Sequence, residues 1–138
     1  MNAIFKGGCL CGAVRYQSSA APVMAGNCHC RDCQRASGGA YAPTLFAPTA
    51  AVAIDGEVRY FEVKGDSGHA VSRGFCPRCG SQLFGQVEVM PGLLAIRAGT
   101  LDDPGLYQPA IDLYTARAQS WDFMDPTLPK FPEMPPHA

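Results

Sequence analysis

Charge is scarce in this chain of 138 residues. Charged side chains make up 17% of it, against about 25% in ordinary globular domains. The 11 Lys and Arg nearly cancel the 12 Asp and Glu and leave a formal charge of −1. No large basic field exists to collect phosphates, which argues against nucleic acid as a partner. Long hydrophobic runs are missing too. No stretch reaches the ~18 apolar residues of a membrane span. The opening MNAIFKGGCLCG has no apolar core of the ~7–15 residues that a secretory leader needs. The expectation is a soluble, cytoplasmic protein with no membrane partner.

Glycine and proline, by contrast, are abundant. The 15 Gly and 12 Pro amount to about one residue in five, where roughly 12% is usual. Long helices are excluded by this punctuation, and short strands joined by many turns are predicted. Hydrophobic residues at 47% suffice for the core of one mostly β domain. Turn signals recur at Gly7-Gly8, Gly38-Gly39, Asp55-Gly56, Lys64-Gly65-Asp66, Pro91-Gly92 and Asp103-Pro104-Gly105. The runs between them predict strands at 13–17, 43–47, 52–54, 58–63, 70–73, 82–89 and 93–98. Asp55-Gly56 reads as a hairpin turn leading into 58–63. Two pieces read as helical: 31–37, capped by Gly38-Gly39, and 115–124. Beyond Asp125 the prolines forbid helix and central strand, so 1–125 is the expected domain and 126–138 an extended arm. Phe131 and Met134 are the candidates to pin that arm to the body.

The 7 cysteines are the informative anomaly. In a reducing compartment, clustered thiols point to metal rather than disulfides. They fall as Cys9-Leu10-Cys11, Cys28-His29-Cys30-Arg31-Asp32-Cys33 and Cys76-Pro77-Arg78-Cys79-Gly80. A thioredoxin-type redox pair shares the last spacing but needs a strand-to-helix context, whereas a strand-like run follows here. A closed structural zinc site takes four ligands, and a catalytic one keeps a position open. The two pairs Cys9/Cys11 and Cys76/Cys79 supply a quartet, and Cys28, Cys30 and Cys33 are left as a trio. Sequence alone permits other partitions. Zinc suits such all-thiolate sites, although iron can occupy them.

His29 lies between two ligand candidates. In an extended segment its side chain points away from theirs, which favours a supporting position, with a ligand or general-base role as the alternative. Arg31 and Arg35 can offset thiolate charge or hold a substrate carboxylate. Gly38 and Gly39 allow close backbone approach to a ligand. Tyr41 either packs on substrate or donates a proton, with a half-buried strand aromatic as the plainer reading. Arg73 and Arg78 flank the Cys76/Cys79 pair and are read as neutralising its charge. Asp102-Asp103 reads as a turn, and Trp121 and Phe123 as packing residues.

Four ordered motifs carry a resemblance. They are Gly7-Gly8-Cys9-Leu10-Cys11-Gly12-Ala13-Val14-Arg15-Tyr16, the Cys28–Gly38 segment, Phe75-Cys76-Pro77-Arg78-Cys79-Gly80-Ser81, and Ala98-Gly99-Thr100-Leu101-Asp102-Asp103-Pro104. Over about residues 5–125 the chain resembles the family of glutathione-dependent formaldehyde-activating enzymes, which includes centromere protein V. The resemblance implies an Mss4-like fold of coiled antiparallel sheets organised around two Zn2+ ions. It implies a structural zinc on Cys9, Cys11, Cys76 and Cys79, and a catalytic zinc on Cys28, Cys30 and Cys33. It also implies a carbon–sulfur lyase that joins glutathione and formaldehyde as S-(hydroxymethyl)glutathione. The alternative is a non-catalytic zinc module that binds a protein partner.

Overall fold

Ten short strands and one α-helix form two sheets in the computed structural model, which describes residues 3–135. The smaller sheet holds β1 (Phe5–Gly8), β2 (Arg15–Ser18) and β5 (Val52–Asp55), antiparallel in the order β1-β2-β5. The larger sheet is built from β3 (Met24–Cys28), β4 (Ala42–Pro48), β6 (Arg59–Lys64), β7 (Ala70–Phe75), β8 (Gln82–Val87), β9 (Leu93–Arg97) and β10 (Ile111–Leu113). Its order is β10-β3-β4-β9-β8-β7-β6. Only β10 runs parallel to its neighbour, β3. The protein is mostly β, as its turn-rich composition predicts.

Alternation along the strands sets the core. In β1 and β2, Phe5, Gly7, Tyr16 and Ser18 face inward while their neighbours face water, the period-two pattern of a half-buried sheet. Tyr16 meets Phe84 of the larger sheet edge-on, with ring centroids 5.3 Å apart at 70°. Val14, Leu45, Leu83, Leu94, Ile96 and Leu101 complete this layer. Each such side chain contributes about 1.5–3 kcal/mol when fully buried. Gly7 is required at its place. A Cβ there would come within 2.2 Å of the Tyr16 hydroxyl, which instead pairs with Thr100 Oγ1 at 2.8 Å.

The helix α1 covers Arg31–Ser37, as its sequence signals predict. The Cys33 amide donates to the N-cap sulfur of Cys30 at 3.3 Å. Gly38 ends the helix at φ 74°, and its N–H donates to the Gln34 carbonyl, a left-handed cap that glycine adopts without strain. Asp32 in the first turn and Arg35 in the last complement the helix dipole.

Asp55-Gly56 does not close a hairpin. β5 pairs with β2, and β6 pairs with β7 in the other sheet, so this turn passes the chain between sheets. The second expected helix shrinks to a 3₁₀ turn at Thr115–Arg117. Tyr114, before it, sits at φ 55°. β1, β3 and β10 carry no clear strand signal in the sequence. Residues 129–133 run beside β10: the Asp112 amide donates to the Pro129 carbonyl, Phe131 N–H to the Asp112 carbonyl, and Thr115 N–H to the Phe131 carbonyl. Pro136 and His137 lie outside the described residues. Among the described residues no helix is long and apolar enough to cross a membrane.

Candidate metal centres and the adjoining cavity

The quartet forms where two loops meet. Cys9 and Cys11 lie between β1 and β2, and Cys76 and Cys79 lie on the turn from β7 to β8. Their four sulfurs fall within 4.8 Å of one another. Cys9 and Cys11 are 3.7 Å apart, and Cys11 and Cys76 are 3.8 Å apart. Sulfurs placed tetrahedrally about zinc at ~2.3 Å stand roughly 3.8 Å apart, so the donor set fits the ion. Backbone amides support the sulfurs, with Val14 N–H donating to Cys9 at 3.2 Å and Arg78 N–H to Cys76 at 3.4 Å. The Ser81 hydroxyl and amide, ahead of smaller contributions, bring the Cys79 thiol down to about 5.

The trio assembles at the start of α1. Cys28 ends β3, Cys30 caps the helix, and Cys33 sits in its first turn. Their sulfurs also lie within 4.8 Å of one another, and among the described residues no fourth His, Cys or carboxylate joins them. Hydrogen bonding with Cys30 and Cys33, together with burial, pushes the Cys28 thiol well above its ordinary value. The thiol of Cys30 is pushed up to about 11: its bond from Cys28 acts downward, but Cys33 and burial outweigh it. Hydrogen bonds from Cys28 and Cys30 hold Cys33 well below its ordinary value; burial opposes them, and Arg97 and Arg73 assist. A metal bound by all three sulfurs needs them as thiolates, so its binding releases their protons to solvent.

A cavity of about 100 Å³ adjoins the trio. Its polar lining includes Arg73, Arg97, Thr44 and Tyr114, and Phe46 and Met134 are among its apolar walls. Arg73 serves this centre and not the quartet beside it in sequence: its Nη2 donates to Cys33 Sγ at 3.6 Å. Strand alternation explains this, since Arg73 on β7 lies opposite Gly85 on β8, which lies opposite Ala95 on β9. Those two small residues leave room for the arginine stems.

The expected substrate-binding residues stand elsewhere. Arg31 is exposed and donates to Gln34 Oε1. Arg35, Gly38 and Gly39 lie along the outer part and end of α1. Tyr41 packs on His29, ring centroids 5.1 Å apart. None of these five lines the cavity. Sequence reasoning missed Arg97 and Tyr114; the available signal was a cation closing the apolar run 93–97. His29 is fully buried and turned away from the trio, with Nε2 2.9 Å from Asp112 Oδ1 and Nδ1 against Asp122 Oδ2. Asp112 also receives Lys130 Nζ at 2.8 Å. Burial raises the Asp112 carboxyl, but Lys130 and His29 outweigh it and leave it below the usual range. Trp121 and Phe123 are exposed rather than packed, Phe123 at 97%. Asp102 forms a fork with Arg15, and Asp103 caps the following 3₁₀ turn.

A mostly β fold with a thiol quartet where two loops meet, and a thiol trio beside a cavity lined by two arginines, defines a domain with two candidate metal centres. The chain belongs to the glutathione-dependent formaldehyde-activating enzyme family, whose model matches residues 4–117. A solved Rhodobacter sphaeroides protein shares the fold with a TM-score of 0.58 and 22% identity, over 71% of this chain and 88% of that one. No curated protein matches the chain.

Proposed function

We propose that this protein is a zinc-dependent carbon–sulfur lyase acting on the adduct of a thiol and a small aldehyde, with glutathione and formaldehyde as the pair the family supplies. The observation that carries the reading is the trio of thiols, which no fourth His, Cys or carboxylate joins among the described residues, set against a cavity lined by two arginines. Cys28, Cys30 and Cys33 would hold the catalytic ion, and Cys9, Cys11, Cys76 and Cys79 the structural one. Bound there, a zinc ion would supply an open coordination position and lower the pKa of an incoming thiol.

The protein's own groups then act around the reacting pair. In the forward direction the substrate sulfur adds to the carbonyl carbon, the C=O electron pair moves to oxygen, and that oxygen takes a proton. Tyr114, packed on the trio and lining the cavity, is the phenol placed to hydrogen-bond that oxygen; burial keeps its pKa above the ordinary value. Arg73 and Arg97 offset the negative charge gathered on sulfur. The apolar walls exclude water, which favours the adduct over free aldehyde hydrate. On this reading Arg31 and Arg35 remain available outside the cavity for the outlying carboxylates of a peptide-like thiol, and the protein is expected in the cytoplasm, where such thiols stay reduced.

The test is exchange NMR on zinc-loaded protein with glutathione and formaldehyde. Exchange faster than in the protein-free mixture supports the assignment. A rate equal to it removes this substrate pair and leaves the metal centres standing. The exposed Trp121 and Phe123 favour one second reading, a zinc module that docks a protein partner. That reading predicts no acceleration with any thiol.

A further inference from the structure

Two cations, Arg73 and Arg97, line the cavity beside the trio, and among the described residues no carboxylate forms a hydrogen bond to either. Arg73 is 9% exposed and spends Nη2 on the Cys33 sulfur. Its Nε is buried with no hydrogen-bond partner. Arg97 donates Nη1 to the hydroxyl of Thr44 at 2.7 Å, a neutral acceptor that does nothing for its charge. Two further carboxylates line the cavity. Asp32 is half-exposed at the head of α1, and Asp66 is exposed and 4.0 Å from Arg117. Neither forms a hydrogen bond to Arg73 or Arg97. Arg97 meets the cavity with no carboxylate partner, and an anion entering with the ligand would supply one.

The shape narrows that anion. A guanidinium offers paired donors that match a planar carboxylate. Arg73 touches a metal-binding sulfur, so a ligand that reaches both the metal position and the arginines must carry its carboxylate a few bonds from its sulfur. The space is also small. About 100 Å³ is well under the roughly 300 Å³ at the low end of small-molecule pockets. In glutathione the carboxylates sit at the far ends of a tripeptide. We infer that Arg97, with Arg73 beside it, forms a carboxylate subsite, and that the thiol this cavity selects is a compact acid thiol, or its one-carbon adduct, in preference to glutathione. The inference rests on the reading of the trio as a thiol site.

Calorimetric titration of the metal-loaded protein tests it without turnover. The probes are mercaptoacetate, its methyl ester, 2-mercaptoethanol and glutathione. Mercaptoacetate is expected to bind about tenfold or more tightly than the ester and 2-mercaptoethanol, the gain of one charge-assisted pair, and more tightly than glutathione. In Arg97→Met the ratio of acid to ester should fall towards one, and in Arg97→Lys it should be kept in part. The wild-type series is informative by itself if a variant fails to fold. Equal affinities for acid and ester in the wild type, or a preference undiminished in a folded Arg97→Met, overturn the subsite and leave the thiol reading intact. Glutathione binding more tightly than mercaptoacetate overturns the compact-ligand claim alone. Failure of every thiol to bind overturns the thiol reading, and this inference with it.

Discussion

Nε2 of His29 lies 2.9 Å from Oδ1 of Asp112, both side chains 1% exposed, although His29 is flanked in sequence by two metal-ligand candidates. Asp122 takes the opposite ring nitrogen. The imidazole is therefore spent on holding the Cys28–Cys30 segment against β10 and the loop beyond it. Its backbone adds to this, with the His29 amide donating to the Leu113 carbonyl at 2.9 Å. Both ring nitrogens face carboxylates, and neither is turned to the trio.

Replacing Asp122 with Ala removes one wall of this clamp from behind the trio. Supporting residues of this kind are worth about 10–100-fold in metal affinity. The variant should lose that much zinc affinity at one of two sites, as read by competition with a chromogenic chelator. Equal loss at both sites, or at neither, contradicts the positioning role.

Asp112 gives the fold an acid limit. Its pKa is lowered in the native state, so the unfolded chain binds the proton more tightly. Stability from this group is complete above the ordinary carboxylate value, about 3.9, and is lost as pH falls through the lowered native value. Asp112→Asn should remove that part of the acid transition in urea titrations. Breaking a buried pair of this kind costs about 3–5 kcal/mol, measured as a shift of the urea midpoint at neutral pH.

The quartet and the trio should respond differently to removal. Cys28, Cys30 and Cys33 changed together to Ser should leave a folded chain with about one zinc ion fewer and no accelerated exchange. Cys9→Ser or Cys76→Ser should lower thermal stability sharply, because structural zinc contributes folding free energy directly. Metal content and circular dichroism on the same samples separate the two. Global unfolding of the trio variant would make that centre structural too.

Gly56 is the local test of the crossing between sheets. It sits at φ 104°, and a Cβ there would stand 2.2 Å from the Ala13 carbonyl oxygen. Gly56→Ala should destabilise by about 2 kcal/mol or more, seen as a lower urea midpoint with an unchanged metal count.

The cysteines were legible because metal chemistry is written in spacing, and all seven fall into the two expected groups. α1 was legible from its glycine stop. The apolar strands were legible from their length and bounding turns. β1 reads FKGG, β3 reads MAGNC and β10 is only three residues; each is a strand because a neighbour pairs with it, which no local pattern announces. Asp55-Gly56 carries a true turn signal, but whether a turn closes a hairpin depends on which sheet receives each flank. Arg73 was assigned to the cysteines nearest in sequence. The register of β7, β8 and β9 decides instead that it faces the other centre, together with Arg97.

The two centres differ in how much chain each must gather. The trio lies within six consecutive residues, Cys28 to Cys33, although the carboxylates of Asp112 and Asp122 that hold the segment come from the far end of the chain. The quartet joins Cys11 to Cys76 across 65 positions and carries the larger loop-closure entropy. As the chain leaves the ribosome, the trio can capture an ion while the second half of the quartet is still unmade. The trio's sulfurs are thus complete early in synthesis, while both the quartet and the Asp112–His29–Asp122 clamp wait for the second half of the chain.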